Sequence, residues 1–366
     1  MKKTLIAACV LSALSLSAYA APNVTLYGKL DTSLLYTHLD DDTSAGSTDT
    51  LTMESGFNLG SRWGIRGTEH IGSVDVGFVL ESGFGSDDGR SWQSGRLFGR
   101  EAQIHVSGDW GTVYAGRLAT IAGDLGSIQM LYPIESAFGN GMGEGVRQGG
   151  STGLSYDRYD NTLAYMSPTF AGFRFGAMYS FKADDTSDTT SRENSSFAKR
   201  YAAAALQYKN GNFGAVLAGD YTMHSNETYP DVDDGYNVLL GGNYDFGPVQ
   251  VFAKVAYFDN DLGMLDTFDL VPDGIALEGW GAELSAKIPA FGGNFRATVG
   301  YRDAEEVDNS DNTYKRFNAG IAYEYAFSKR TSMYATIGYA QEEADTTRAD
   351  RTPNEVQTAI GLIHNF

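Results

Sequence analysis

A chain of 366 residues that sets 46 Asp and Glu against 27 Lys and Arg, for a formal charge of −19, has the wrong sign for a nucleic-acid partner. Its only cysteine, Cys9, falls in the N-terminal leader, which leaves the remainder without a disulfide framework, a thiol nucleophile or a cysteine metal site. With 44 Gly, 22 Tyr and 20 Phe against 8 Pro, and no apolar run long enough for a membrane helix, the composition favours many strands with aromatic belts over helical spans. Length by itself still allows a soluble two-domain enzyme.

The N-terminus joins Lys2 and Lys3 to the apolar run from Leu5 to Leu16 and the small-residue site Ala18-Tyr19-Ala20. That is the order of a secretory signal, so residues 1–20 are expected to be cleaved and residues 21–366 to form the exported domain. Losing the two lysines takes the charge from −19 to −21.

Strands with period-two hydrophobicity follow. The first, 24–36, alternates Leu26, Gly28, Leu30 and Leu34 with Tyr27, Lys29, Asp31 and Ser33. The second, 57–69, sets Leu59, Trp63 and Ile65 against Asn58, Arg62, Arg66 and Thr68. The third, 74–84, sets Val74, Val76, Phe78, Leu80 and Phe84 against Asp75, Gly77, Glu81 and Gly83. The same period predicts strands near 96–107, 111–118, 157–168, 172–182, 199–210, 212–224, 236–246, 248–258, 277–288, 294–302, 314–327, 331–341 and 355–366. The total is about sixteen, an even number of the kind that closed bacterial barrels use.

Short turns near 70–73, 108–110, 167–170, 210–211, 245–248, 290–293 and 328–330 alternate with long connections. Most of the acid sits in the long ones, at 40–42, 184–185, 231–234, 259–273, 303–311 and 342–355. This points to an all-β transmembrane antiparallel barrel with its short turns and both termini on the periplasmic side. Lipid offers no hydrogen bonds, so every backbone polar group in the membrane must pair within the protein, and a closed sheet achieves that without an edge. The outward face must then be apolar, while a polar, charged inward face calls for a water-filled lumen. Phe170, Phe173, Phe175, Tyr179, Phe181, Phe317, Tyr323, Tyr325 and Phe327 read as lipid-facing or girdle aromatics. A secreted β-sandwich or β-helix would not need an apolar, aromatic-flanked face on nearly every strand.

One connection breaks the pattern. From about 118 to 155 the chain is glycine-rich, lacks sustained alternation and carries few charges, among them Asp124, Glu135, Glu144 and Arg147. A structureless stretch of this length needs a job. It is the third long loop, and its sparse charge favours a place inside the barrel, where it would narrow the lumen. The inward bases are Lys29, Arg62, Arg66, Arg158, Arg174, Lys254, Lys287, Arg296, Arg302 and Arg316; alternation points Arg100 and Arg117 outward unless a bulge or a strand end re-aims them. The inward acids Asp31, Asp75, Glu81 and Asp160 are placed to neutralise neighbouring arginines, and for each wall base that role stands beside direct contact with solute.

No G-x-S-x-G or H-E-x-x-H motif occurs, and the five histidines show no ligand spacing, so neither catalysis, a metal nor a cofactor is expected. The rivals are a substrate-specific channel, an outer-membrane hydrolase and an adhesin barrel with a plugged lumen.

In order along the chain stand Val24-Thr25-Leu26-Tyr27-Gly28, Ser61-Arg62-Trp63-Gly64-Ile65-Arg66-Gly67, Leu80-Glu81-Ser82-Gly83-Phe84 and Gly111-Thr112-Val113 leading to Gly116-Arg117. Arg158-Tyr159-Asp160-Asn161, Ser167-Pro168-Thr169-Phe170-Ala171-Gly172-Phe173 and the closing Gly361-Leu362-Ile363-His364-Asn365-Phe366 follow. Together they make the chain resemble the Gram-negative general porins, diffusion channels of the outer membrane. The resemblance implies a sixteen-stranded homotrimeric barrel for ions and small hydrophilic solutes. It also implies a third-loop constriction, with basic wall residues (Lys29, Arg62, Arg66, Arg158 and, with less weight, Arg117) facing acids of the loop (Asp124, Glu135, Glu144). Phe366 would be the signal read by the barrel-assembly machinery. Ala164 departs from relatives that carry a base there, which would widen the eyelet or make it less positive. The net-basic wall predicts weak anion preference at the eyelet, with acidic loops concentrating cations at the mouth. Those loops could also hold divalent cations that bridge to lipopolysaccharide.

Overall fold

The computed structural model describes residues 23–44, 46–121, 126–139, 141–147, 150, 154, 157–183, 190–348 and 350–366; the expected signal lies outside them. The strands are β1 (Thr25–Asp40), β2 (Ser47–Ser55), β3 (Arg62–Ile71), β4 (Val74–Gly83), β5 (Glu101–Gly108), β6 (Gly111–Ala119), β7 (Arg158–Met166), β8 (Phe173–Ser180) and β9 (Arg200–Asn210). They continue with β10 (Phe213–Met223), β11 (Gly235–Asp245), β12 (Gln250–Asp261), β13 (Leu277–Ala290), β14 (Gly293–Glu306), β15 (Asn309–Ala326), β16 (Thr331–Asp345), β17 (Asp350–Arg351) and β18 (Asn354–Asn365).

Every pairing is antiparallel. The eighteen segments make sixteen staves. β2 pairs with the Thr32–Asp40 end of β1 and β3 with its Thr25–Lys29 end, so the two form one interrupted stave. β17 likewise extends the stave of β18 against β16. β18 then pairs with β1 in a ladder from Lys29↔Asn365 to Asp40↔Asn354, which closes the barrel. At the seam, the backbones of Gly28 and Phe366 exchange hydrogen bonds of 3.1 and 3.0 Å.

The polarity of the wall is inverted relative to a soluble protein. On β14, Val299 and Tyr301 are exposed while Thr298, Arg302 and Glu306 are buried. On β1, Leu26, Leu30 and Leu34 are exposed and Asp31 and Ser33 buried. Aromatic pairs form two rows. Near the short turns lie Phe173 and Tyr208 (4.5 Å between ring centroids), Tyr244 and Phe246 (4.7 Å), and Phe295 and Tyr323 (4.6 Å). Further along the same staves lie Tyr236 and Tyr257 (6.1 Å), Trp280 and Tyr301 (5.8 Å), and Phe317 and Tyr339 (6.3 Å). Six residues separate Phe295 from Tyr301, about 20 Å along a strand, which fits an apolar band of about 25 Å.

The structure departs from the sequence reading above the band. β2 was expected to be loop, because its outward Leu51 and Met53 stand among polar residues; the ladder extends past the lipid, where the outer face no longer has to be apolar. Residues 57–61, expected as strand, break the stave instead. The Asp31 carboxylate holds the break, accepting from the backbone N–H groups of Asn58 (3.0 Å) and Leu59 (2.6 Å) and the Tyr334 hydroxyl (2.9 Å). Leu59 accordingly packs inside rather than on lipid. The expected loops at 303–311 and 342–355 shrink: β14 and β15 run through most of the first, and β16, β17 and β18 take up part of the second.

Leu240 sits mid-strand on β11 with 55% of its surface exposed. Leu240→Arg should destabilise the barrel in lipid vesicles by about 2–4 kcal/mol, measured by denaturant titration, if that face meets the bilayer midplane.

Candidate functional site

The connection between β6 and β7 is held by apolar burial first. Ile128, Met130, Leu131 and Ile134 cluster with Tyr201, Val216 and Leu239 on strands β9 to β11, where Ala203, Ala205, Ala218 and, on β12, Ala256 leave room for them. Phe138, Met142 and Val146 join Phe252, Tyr334 and Ile363, with Phe57 and Leu59 alongside. Two glycines permit the closest approach. A Cβ on Gly145 would lie 2.3 Å from the Tyr339 backbone nitrogen, and one on Gly141 would overlap the Asn58 carbonyl oxygen.

Polar contacts then fix the register of the segment. Lys254 Nζ lies 3.0 Å from Glu135 and 3.1 Å from Glu283, its direct cross-strand partner, and none of the three side chains is more than 1% exposed. The Ser136 hydroxyl donates to Glu283 (2.6 Å), the Ala137 N–H to the Ser285 hydroxyl (3.0 Å), and Asn243 to the Ile134 carbonyl (2.8 Å). Further along, the Met142 N–H donates to the Phe57 carbonyl (2.6 Å), the Glu144 N–H to Gln357 (3.0 Å), and Asn318 to the Gly145 carbonyl (3.2 Å).

A second knot ties in another connection. Arg316 and Arg302, both 1% exposed, share Glu342, with Arg316 bonded to it and Arg302 at 3.9 Å. Arg316 also reaches Glu144 (3.4 Å) and donates to the Thr267 hydroxyl (2.6 Å), and Arg302 donates to the Leu265 carbonyl (2.7 Å). Residues 262–276, expected as an acidic outer loop, therefore lie against inward-facing side chains of β14 to β16. Their apolar residues explain why: Met264, Leu270, Val271 and Ile275 pack on Phe258, Leu277, Ala304, Tyr314 and Ala344.

The predicted basic residues do not form one uniform row. Lys29 is the cross-strand partner of Arg62, and its ammonium group makes no hydrogen bond or ion pair among the described residues. Arg62 lies 4.0 Å from Glu81, which also accepts from Arg100 (2.6 Å) and Tyr27 (3.0 Å). Arg100 just precedes β5, so strand alternation does not govern it. Arg66 is exposed and lies over the Tyr27 ring at 5.0 Å. Arg117 and Arg96 both bind Asp160, at 2.7 Å each. The β6–β7 register shifts between Gly116 and Leu118, and Arg117 pairs with Ala102 on the face of exposed Ile104. Arg158 opens β7 opposite Ala119.

Of the predicted loop acids, Asp124 lies outside the described residues. Glu135 and Glu144 point at the wall rather than across the lumen: the first is fully buried on Lys254, and the second binds Arg316, Thr267 and Arg147 (2.8 Å). Sequence reasoning placed Lys254 among the inward bases without naming its partner, put Glu342 in an acidic outer connection and did not single out Glu283. The signal was an acid on an inward-facing position, but pairing it with a base needs the cross-strand register.

The family model for Gram-negative porins matches residues 7–345. An outer membrane porin protein of Bordetella pertussis is 33% identical, with all of both chains aligned. The major outer membrane protein P.IB of Neisseria meningitidis is 28% identical, again over all of both chains. Among solved structures, the anion-selective porin from Comamonas acidovorans superposes with a TM-score of 0.67 over 94% of this chain and all of the other, at 23% identity, a likeness of fold.

Lys254→Met leaves Glu135 and Glu283 buried without their cation, so it should cost about 3–5 kcal/mol in denaturant titration. Replacing the triad together, with Glu135→Gln and Glu283→Gln added, should recover most of that loss.

Proposed function

The chain belongs to the Gram-negative porin family, an outer-membrane channel for passive diffusion of ions and small hydrophilic solutes, and on that premise we propose how its lumen selects. The β6–β7 connection folds into the barrel and forms the constriction. The side of the constriction opposite the connection is the wall of β1 and β3, where Lys29 faces the solute with Arg62 buried beside it, and Arg66 stands nearer the short turns. Arg158 belongs to the same basic wall, whereas Arg117 is committed to Asp160.

The observation that carries this reading is the direction of the loop's acids. Glu135 and Glu144 spend their charge on Lys254 and Arg316. Glu135 and Glu144 are thus withdrawn from opposing Lys29 across the lumen, while Arg62 already has Glu81 beside it, so the transverse field is weaker than two opposed charged walls would give. The narrow part carries a net positive potential, and the channel is weakly anion-preferring. Charged rings at this scale set ion preference without catalysis, and no enzymatic step is part of the function. The acidic outer connections hold cations at the mouth, but their field fades over about 8 Å at physiological salt.

The remaining assignments follow the family. The protein assembles as a homotrimer, its C-terminal strand with Phe366 is read by the barrel-assembly machinery, and its acidic connections bridge to lipopolysaccharide through divalent cations. Exported chains reach that machinery after loss of residues 1–20.

Planar-bilayer recording under a salt gradient tests the selectivity. The reversal potential should have the sign of anion preference, and Lys29→Ala with Arg62→Ala should move it toward cations. An unchanged reversal potential would remove both residues from the eyelet.

A further inference from the structure

Below the β6–β7 connection, at Tyr132 and Pro133, the wall formed by the turn ends of β9 to β14 is hollow over about 320 Å³. Lys209, Lys287 and Arg296 line this space, together with Asn243 and Gln250. All three bases belong to inward faces. Two residues from Lys209 on β9, Gln207 reaches the Met130 carbonyl. Two residues from Lys287 on β13, Ser285 receives the Ala137 N–H (3.0 Å). Two residues from Arg296 on β14, Thr298 is buried.

Lys287 and Arg296 are direct cross-strand partners. Like charges facing each other across a ladder repel and cost stability. Only one of the two is neutralised: Arg296 binds Glu324 at 2.7 Å. The ammonium groups of Lys287 and Lys209 make no hydrogen bond or ion pair among the described residues. The acid lining the same space, Asp245, accepts from the Gly247 N–H (2.8 Å) in its own turn. Asn243 and Gln250 are hydrogen-bonded to each other (3.0 Å), which fixes two amides at the edge of the hollow.

We propose that this hollow is an anion-binding subsite on the short-turn side of the constriction, which takes a small solute bearing carboxylate or phosphate oxygens. A flexible ammonium supplies rotatable donors for such a group from either strand. The volume is that of a small-molecule site, and the enclosing loop limits its exposure. A solute there would offset the repulsion of the Lys287–Arg296 pair, and it would sit on the diffusion path between the constriction and the periplasmic space. The proposal rests on the channel reading above.

The test is single-channel recording in about 0.1 M KCl, where charges are screened over about 10 Å. Succinate, inorganic phosphate and uncharged erythritol are added in turn from each side. Succinate or phosphate should reduce the chloride current in a saturable way, at lower concentration from the short-turn side, and erythritol should not. Lys209→Gln and Lys287→Gln should each raise the half-blocking concentration roughly three- to tenfold, the scale of one lost charge-assisted contact. Lys287→Arg should restore it. Block by succinate alone assigns carboxylates, by phosphate alone phosphates, and by both any dianion. Block that is absent, that erythritol reproduces, or that survives the double lysine variant overturns the subsite. The chloride current before any addition reports the channel itself, so a protein that conducts without block sinks only the subsite, and one that never conducts sinks the channel reading.

Discussion

A backbone amide facing hydrocarbon has no water to bond to, and an unmet donor or acceptor there costs several kcal/mol. The β1–β18 ladder is where this chain meets that constraint, because it turns fifteen neighbour pairings into a ring without an edge. Closure dictates the rest. With all strands paired, each residue's side chain has only two destinations, oil or lumen, and the sequence answers with Leu, Val, Phe and Tyr on one parity and Asp, Glu, Lys, Arg and Ser on the other. The aromatic rows mark where the oil ends, since rings with a polar edge suit the interface.

A polar wall face creates a second problem, which the β6–β7 and β12–β13 connections address. A segment lying on a charged wall must desolvate those charges, and that loss exceeds the attraction unless the geometry is good. The chain uses two devices. Where the segment is apolar, the wall beneath it is alanine-rich, as at Ala203, Ala205 and Ala218. Where the wall is charged, the segment brings the counter-charge with it, as Glu135 does for Lys254 and Glu144 for Arg316. These knots fix the position of the segment against the wall. One arrangement thus links the fold to selectivity: the acids that anchor the loop are withdrawn from the pore.

Much of this was legible in the residues. Period-two alternation placed sixteen staves and the orientation of β1, β3 and β4, because a strand buried between oil and water must alternate. It failed at β2, beyond the lipid, where the outer face no longer has to be apolar, and it gave no sign that the connection at residues 262–276 packs on the wall. The bases of the wall were also legible, since a Lys or Arg on an inward parity has nowhere else to point. Their partners were not. Lys254 meets Glu283 because β12 and β13 align in one register, and meets Glu135 because a glycine-rich segment lies across both. Arg117 escaped simple alternation through the register shift beside Gly116. Such pairings are properties of three-dimensional alignment, which composition and spacing do not encode.

The inverted wall is the claim beneath all of this, and the chain offers a direct probe, since Cys9 is its only cysteine. Single cysteines at Arg66, Gln250 and Lys287 on the inward parity, and at Leu240, Val255 and Leu284 on the outward one, can be treated with a charged, water-soluble thiol reagent in lipid vesicles. The first three should be modified and the last three protected. Equal modification of both sets, or protection of the inward set alone, would contradict the account.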